Sequence, residues 1–480
     1  RWGFFPSFSA GYDISRTPYF TKLNLPVSQL KVRVSYGRLG NQNGAGLYDY
    51  LGVMTLDPNN VNAWLLPGTG NKPAKGTISL TPKMISPYIT WEKVDNANIG
   101  LDLMLFDDRL SVTFDAYQRT TKDMIGPAEA IPAVSGIVPD DRAKINNATL
   151  RNRGWELSVN WQDKLKCGFS YGIGFNLFDY KAVVTKYNNP EGIIYNNHTG
   201  LARNKGYYEG MDIGEIWGFV ADDLFMTNRE VDDYLQSKDL SFFKADNLWQ
   251  AGDLKYIDVN RDGKVDPGKG TLDDHGDLRI IGNTTPKYSF GINLKAGYKG
   301  FQVSTLFQGV GKRDFPLAGS TYLFGGKNYF KEHLDYFSPQ NPDAYLPRLA
   351  DPKTDDYRVN AGYNTTRYMV NAAYMRMKNL TVSYTFDKKM LKALRLENLR
   401  LYFTCDNLFT ITSLPKSFDP ETLNQVMHLV QYRGTLLTEN TWAGGSNDTA
   451  PGLTSAANEN GNGKVYPMNR NFVFGIDFTF

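Results

Sequence analysis

Apolar and polar residues alternate along stretch after stretch of this sequence. Residues 155–162 read WELSVNWQ, and the chain ends with FVFGIDFTF at 472–480. Successive side chains of a β-strand point to opposite faces, so an alternation with a period of two predicts strands with one apolar and one polar face. The same pattern recurs over almost the whole chain, which predicts an all-β fold.

The predicted strands are long. Most of the alternating segments contain about 10–14 residues, whereas globular strands cluster near 5–6 and a tilted transmembrane strand needs about 9–11. Eleven segments are predicted as strands: 2–14, 29–38, 96–106, 109–121, 152–163, 166–180, 286–297, 300–312, 374–386, 396–409 and 467–480. Their length favours strands that cross a membrane.

Composition supports this interpretation and excludes others. Aromatic residues make up 14% of the chain, and on the strands they fall on the apolar side, opposite Ser, Thr, Asn and Gly. This is typical of a barrel with a lipid-facing exterior and a wet interior. The 53 basic and 50 acidic residues leave a net charge of +3, which is too balanced for a nucleic-acid partner. No apolar run approaches the roughly 20 residues of a membrane-spanning helix.

The connections between the predicted strands alternate between short and long. The long ones cover about 39–95, 122–151, 181–285, 313–373 and 410–466. Outer-membrane barrels have short periplasmic turns and long extracellular loops, so we predict a transmembrane antiparallel β-barrel in contact with outer-membrane lipid. A soluble β-sandwich or propeller shares the period-two pattern but not the strand length or the alternating loops.

The odd number of strands bears on completeness. With eleven antiparallel strands, the first and the last run in the same direction, whereas single-chain bacterial barrels have even strand numbers. Either one strand is miscounted, or residues 1–480 form the C-terminal portion of a larger barrel, and we favour the second interpretation. We therefore expect strands outside this numbering to pair with both free edges.

No catalytic constellation is recognisable. His198, His275, His333 and His428 are scattered over the long loops without a nucleophile or carboxylate at a useful spacing. We therefore expect no enzymatic activity.

One loop has the composition of a cation site. Asp258, Asn260, Asp262, Lys264 and Asp266 occupy offsets 1, 3, 5, 7 and 9 around a glycine. A hard cation needs six to eight oxygens, which alternate side chains and the Lys264 carbonyl can supply. The pattern predicts a structural Ca²⁺ or Mg²⁺ site that stiffens the loop region 181–285. Position 12 is a lysine, so Asp273, Asp274 or Asp277 would have to complete the ligands; the alternative is an Asp/Asn-rich turn that binds nothing.

Several long loops carry tryptophans among polar residues: Trp64, Trp217, Trp249 and Trp442. Indole faces stack on sugar rings, so these four are candidate substrate-binding residues. The alternative is that they pack the loops internally or lie in the interfacial girdle.

A family resemblance rests on motifs that run in order through the chain. They are RWGFFPSFSAGY at 1–12, LKVRVSYGRLGN at 30–41, NRGWEL at 152–157, DVNRDG at 258–263, IGN at 281–283, FSPQNP at 337–342, YMRMKNL at 374–380, DNLFT at 406–410 and the aromatic C-terminus from 466. With these motifs the chain resembles the C-terminal half of SusC/RagA-type TonB-dependent outer-membrane transporters of Bacteroidetes.

The resemblance implies a role in import. It implies a barrel of 22 strands, uptake of oligosaccharides, or of peptides in some members, a SusD-like surface lipoprotein as a lid, and TonB as the energy source. It also implies a TonB box, a plug domain and the first half of the barrel, none of which is recognisable within residues 1–480. The alternative from another class is a passive, porin-like or structural barrel.

Overall fold

The computed structural model describes residues 3–23, 25–42, 56–57, 65–67, 73–75, 78–79, 84–86, 88–126, 134, 143–194, 207–243, 249–317, 331–350, 359–360, 363–391, 395–423 and 468–480. One antiparallel sheet dominates the fold. Its eleven principal strands follow one another in chain order, so each is hydrogen-bonded to its neighbours in sequence. They are β1 (Ser7–Asp13), β2 (Val27–Asn41), β3 (Glu92–Leu105), β4 (Leu110–Gly126), β5 (Ile145–Lys164), β6 (Ser170–Lys186), β7 (Lys287–Tyr298), β8 (Phe301–Lys312), β9 (Tyr374–Thr385), β10 (Asn398–Asp406) and β11 (Asn471–Thr479).

The predicted all-β antiparallel architecture is confirmed, and each predicted segment overlaps one of these strands. A twelfth short strand, Thr410–Thr412, pairs with β9 beyond the end of β10. Within the described residues, β1 and β11 each pair on one side only, so the sheet has two edges.

The short turns are built from residues that accept a positive φ. Lys299 and Gly300 join β7 to β8 with φ angles of 46° and 88°, the two-residue geometry that matches the twist of a hairpin. A Cβ on Gly300 would lie 2.5 Å from the Thr385 carbonyl oxygen, so the position also needs glycine for space. Phe106, Asp107 and Asp108 make the β3–β4 turn, all with positive φ.

Strand register separates apolar and polar side chains onto the two faces of the sheet. One cross-strand row contains Val32, Leu101, Phe114, Leu157 and Leu177. These residues share one side of the pleat, which we call the apolar face; the alternate residues form the polar face. Apolar side chains stay substantially exposed on this face, for example Ile99 at 54%. Exposed apolar side chains that continue across neighbouring strands form a surface suited to lipid.

The hydrophobic core lies beyond the sheet, in the long connections. We call the described parts of 187–286, 313–373 and 407–423 the cap. Nearly all residues of the main buried cluster belong to it, including Phe219, Phe225 and Tyr256, each at most 1% exposed. The cap is therefore a folded unit rather than a set of separate loops.

Three small antiparallel sheets organise the cap. They pair Glu215–Phe219 with Leu278–Asn283, Ala221–Leu224 with Leu254–Tyr256, and Asp314–Pro316 with Met369–Asn371. The helix Asn228–Leu235 begins at Thr227, whose hydroxyl accepts the Glu230 N–H at 3.2 Å, while the Glu230 carboxylate accepts the Met226 N–H at 2.9 Å. This reciprocal capping satisfies the free Glu230 N–H of the first turn and the N–H of Met226, which precedes the helix.

The remaining elements are short: 3₁₀ turns at Ile14–Arg16 and Lys331–Leu334, helices at Pro18–Thr21 and Lys388–Leu391, and the strand pairs Leu56–Asp57 with Ile78–Ser79 and Leu65–Pro67 with Pro73–Lys75. In the part of the chain that the structure describes, no helix has both the length and the apolar character needed to span a membrane.

Candidate functional site: the polar face and the cap

Ion pairs hold the polar face of β2, β3 and β4 together. Arg33 donates from Nε and Nη2 to the two Asp102 carboxylate oxygens, at 2.8 and 3.0 Å, and from Nη2 to Asp115 at 3.0 Å. The cation thus bridges two neighbouring strands. Because charge-assisted and bidentate hydrogen bonds are the strong ones, this arrangement fixes the side chains in place.

Beside this ion-pair cluster the polar face has a depression of about 320 Å³. Its lining consists of Asn96, Asn98, Asp115, Tyr117, Arg119, Asn152 and Glu156. Amide, carboxylate, hydroxyl and guanidinium groups converge there from β3, β4 and β5. The depression offers both donors and acceptors, which suits a ligand rich in hydroxyl or amide groups.

The structure places two of the predicted substrate-binding tryptophans inside the cap. Trp217 and Trp249 are each 6% exposed. Trp217 lies 5.5 Å from the ring of His275, and Trp249 contacts Phe225 and Phe243 edge-on. Both indoles thus pack internally, as in the alternative interpretation of the sequence.

The predicted role of Trp217 and Trp249 is to stack on substrate. Stacking needs the indole faces that the cap core covers, and this role stays a prediction. Trp64 and Trp442 lie outside the described residues.

The acidic loop folds around its own side chains. Asp258 accepts the N–H groups of Arg261 and Gly263 at 2.6 and 3.0 Å and pairs with Lys238 at 2.5 Å. Asp262 accepts the Lys264 N–H at 2.8 Å. The pKa of Asp258 is lowered. Burial of the carboxylate acts to raise this pKa, but the Lys238 ammonium and the two backbone N–H donors outweigh the effect of burial.

Asp277 closes this loop from outside the 258–266 stretch. The residue is 1% exposed. Its carboxylate accepts the N–H groups of Val259, Asn260 and Asp266 at 2.6, 3.2 and 3.0 Å. Asp277 is one of the three residues that the sequence offered to complete a cation site. Within the described ranges, no three His, Cys, Asp or Glu side chains are grouped to hold a metal ion. The cation assignment for Asp258, Asn260, Asp262, Lys264 and Asp266 stays a prediction.

A proline-flanked turn projects from the cap. Phe337 is 7% exposed and belongs to the cap core, so it anchors the motif that follows it. The side chain of Asn341 donates to Asp335 at 3.0 Å, and the Ser338 and Asn341 backbones pair with each other. The positions around Pro339 and Pro342 are exposed, so the structure presents a braced turn at the surface of the cap.

Two buried arginines lie where the cap meets the sheet, and sequence analysis did not predict them. Arg313, just beyond β8, is 6% exposed and donates to the carbonyl oxygens of Thr284 and Leu423 at 3.1 and 3.2 Å. Burial lowers the pKa of its guanidinium. Arg376, near the beginning of β9, pairs with Asp419 of the cap at 2.8 Å. This junction could not be predicted because the paired residues are far apart in sequence. Each arginine lies near the end of a strand, and nothing in the local sequence distinguishes it.

Comparison with known proteins identifies the family to which the sheet belongs. Residues 1–408 match the family model described as TonB dependent receptor-like, beta-barrel. TonB-dependent receptor P3 of Formosa agariphila is 26% identical over 434 residues, which cover 88% of this chain and 38% of the relative. TonB-dependent receptor SusC of Bacteroides thetaiotaomicron is 24% identical over 427 residues, with the same coverage of each chain.

Solved structures show the same fold. The structure of the RagAB peptide transporter superposes with a TM-score of 0.61 at 21% identity, covering 87% of this chain and 41% of that chain. The RagAB peptide importer in its open-open state gives 0.62 at 20% identity, covering 87% and 40%. The chain spans about two fifths of the length of the curated relatives it matches. It belongs to the TonB-dependent receptor β-barrel family, with relatives of the SusC/RagA type, and is an outer-membrane protein.

Proposed function

We propose that the protein to which these residues belong imports oligosaccharides across the outer membrane in a TonB-dependent manner, under a SusD-like lipoprotein lid. The observation that carries the proposal is the division of the sheet into an apolar face and a charged, hydrogen-bonding face by strand register. A wall of this kind separates lipid from a polar passage. Binding, occlusion and release do the work, and no covalent step is involved.

The passage would begin at the cap and continue along the polar face. Tyr117, Asn152 and Glu156 line the depression with hydroxyl, amide and carboxylate groups that can exchange hydrogen bonds with a sugar. Trp64 and Trp442 are proposed to stack on sugar rings from the loops, whereas Trp217 and Trp249 would first have to leave the cap core. A peptide is the alternative cargo, because its amide groups match the same donors and acceptors.

The lid would dock on the cap. The braced turn at 338–343 presents a preformed surface, so little conformational entropy is lost when a partner binds there. Leu334, Tyr345 and Leu349 in the same segment are exposed at 75%, 37% and 49%. An apolar surface next to a rigid turn suits a stable protein contact, and a lid over a wide mouth should bury more than the roughly 1,600 Å² of a standard interface.

The strand edges and the energy source complete the proposal. In lipid each unpaired backbone group costs several kcal/mol, so we propose that strands outside this numbering pair with β1 and β11 and close the barrel. A plug domain and a TonB box in the rest of the protein would couple transport to TonB.

Uptake by living cells tests the proposal. Cells that express the full-length protein are given fluorescently labelled oligosaccharides or labelled oligopeptides, with TonB present or deleted. We expect TonB-dependent uptake of an oligosaccharide, and a marked loss of uptake in Tyr117→Ala/Glu156→Ala. The matched control, Val159→Ala on the apolar face, should transport normally.

Other outcomes are equally distinct. TonB-dependent uptake of peptides alone would favour the peptide importer. Uptake that persists without TonB would favour a passive porin. Purification in mild detergent should bring down a surface lipoprotein, and replacing the exposed turn residues Gln340 and Asp343 by arginine should release it; a lipoprotein-free preparation would contradict the lid.

A further inference from the structure

Cations lie on the apolar face directly beyond the lipid-facing band, at the end of the sheet that carries the long connections. Two cross-strand rows follow the apolar ones: Tyr36, Ala97, Gln118 and Arg153, then Arg38, Asp95, Thr120 and Arg151. Lys122 is two residues beyond Thr120 and therefore on the same face. We call Arg38, Lys122, Arg151 and Arg153 the basic patch.

The patch has a surplus of positive charge. Arg38 and Lys122 share the single carboxylate of Asp95, at 2.6 and 3.0 Å. Arg153 donates from Nε to the neutral side chain of Gln118 at 2.6 Å. Within the described residues no carboxylate pairs with Arg151 or Arg153. The patch thus has four cations against one anion.

Neighbouring lysines do not alter this surplus. Lys93 pairs with Asp123 at 2.8 Å, and Lys181 lies 3.5 Å from Asp212. Each of these pairs is neutral, so the excess charge is concentrated on β2, β4 and β5.

The height of the patch matches the lipid headgroups. On the side of the patch that faces the apolar rows, Trp155 lies two residues from Arg153, and Tyr36 lies two residues from Arg38. Two residues of strand span about 7 Å. Outward Trp and Tyr side chains mark the membrane interface, so the cations lie at or just beyond the depth where lipid phosphates are found.

We propose that the basic patch binds the phosphate of an anionic lipid in the outer leaflet, with Arg151 and Arg153 as the principal contacts. The planar guanidinium presents a fork of donors that fits phosphate oxygens. The patch is open, faces outward and continues the lipid-covered surface, whereas a site for a soluble anion would be expected to be enclosed. The inference rests on the membrane location and not on the transported substrate.

Lipid retention by the full-length protein tests the proposal. The protein is placed in nanodiscs of phosphatidylcholine with and without phosphatidylglycerol, and native mass spectrometry counts the anionic lipids that remain bound after release. We expect Arg151→Glu/Arg153→Glu to retain roughly fivefold less phosphatidylglycerol than the unaltered protein, because like charges now repel the headgroup. The control Lys164→Glu/Lys295→Glu makes the same charge change on the polar face and should retain lipid normally.

A neutral variant guards against misfolding. Arg151→Gln/Arg153→Gln keeps the hydrogen-bonding capacity without the charge and should show an intermediate loss that salt no longer modulates. Equal retention by all four proteins would overturn the proposal. Binding of inorganic phosphate alone at the patch, with no added effect of anionic lipid, would also overturn the proposal, because the site would then be one for a soluble anion.

Discussion

The guanidinium of Arg376 and the carboxylate of Asp419 form an ion pair where β9 enters the cap, with 2.8 Å between Nη2 and Oδ1. Their side chains are 4% and 6% exposed. Arg376 also contacts Glu421 at 3.2 Å, and Asp419 accepts the N–H of Met468 at 3.0 Å. One buried pair therefore connects a membrane strand, the cap and the approach to β11.

Removal of Arg376 should loosen this junction. In Arg376→Ala, Asp419 stays buried without its cation, whereas Glu421 keeps Lys378 at 2.9 Å. Breaking a buried pair from one side typically costs about 3–5 kcal/mol. Hydrogen exchange over residues 407–423 measures the change. The control Arg109→Ala breaks an exposed pair with Asp163, which lies 3.6 Å away, and should cost less than about 1 kcal/mol. Equal effects of the two variants would contradict a buried junction.

Acid should open the same junction. Burial acts to raise the pKa of Asp419, but the N–H groups of Met468 and Glu421 together with Arg376 outweigh it and hold the pKa below its usual value. A carboxylate with a lowered pKa stabilises the fold above its unfolded pKa, near about 3.9, and loses that contribution as the pH falls through the folded value. Exchange at 407–423 should therefore accelerate below about pH 4. In Asp419→Asn that acid-dependent step should shrink; an unchanged step would assign it to other groups.

Trp249 should act mainly through stability. Because the ring is 6% exposed and packs on Phe225 and Phe243, Trp249→Ala should destabilise the cap by about 3–5 kcal/mol. Limited proteolysis or thermal unfolding measures the loss. Leu334→Ala, at a site 75% exposed, should be nearly neutral. If Trp249→Ala abolished substrate binding while the cap kept its full stability, the direct stacking role would be the better assignment.

The loop at 258–266 is predicted to bind Ca²⁺ or Mg²⁺. Calorimetric titration of the full-length protein should then show binding that Asp258→Asn/Asp262→Asn removes, because the loss of two anionic ligands weakens any hard-cation site. Asp233→Asn, at an exposed position of the helix Asn228–Leu235 outside the loop, is the control. If neither ion gives heat or a thermal shift, the Lys238 ion pair and the backbone donors alone hold the loop.

The strands of the sheet could be predicted because each keeps one face in lipid and one in a polar environment. Their outer ends were harder to place. β5 begins at Ile145, seven residues before its predicted start, since backbone pairing with β4 and β6 continues beyond the membrane, where nothing enforces the alternation. The alternation of apolar and polar side chains ends where the lipid ends, whereas the backbone hydrogen bonds between the strands continue beyond it.

The cap could not be predicted from local pattern. Ile216, Trp217, Gly218 and Phe219 are consecutive and all buried, so a strand enclosed on both sides shows no alternation. Its partner strand, Leu278–Asn283, lies about sixty residues away in sequence. For the acidic loop, the spacing predicted that side-chain oxygens converge, but only the tertiary fold selects Asp277 to close it.

The central claim, that strand register divides the sheet into a lipid face and a water face, is tested most directly by spin-label accessibility along β5. In the full-length protein, with Cys167 and Cys405 replaced by serine, single labels are placed at each position from 155 to 162 in a lipid bilayer. Collisions with apolar oxygen should peak at odd positions such as Leu157 and Val159, and collisions with a water-soluble nickel chelate at even positions such as Ser158 and Asn160. A period-two profile with the two reagents out of phase is the predicted result; a flat profile, or oxygen maxima at the even positions, would contradict the account.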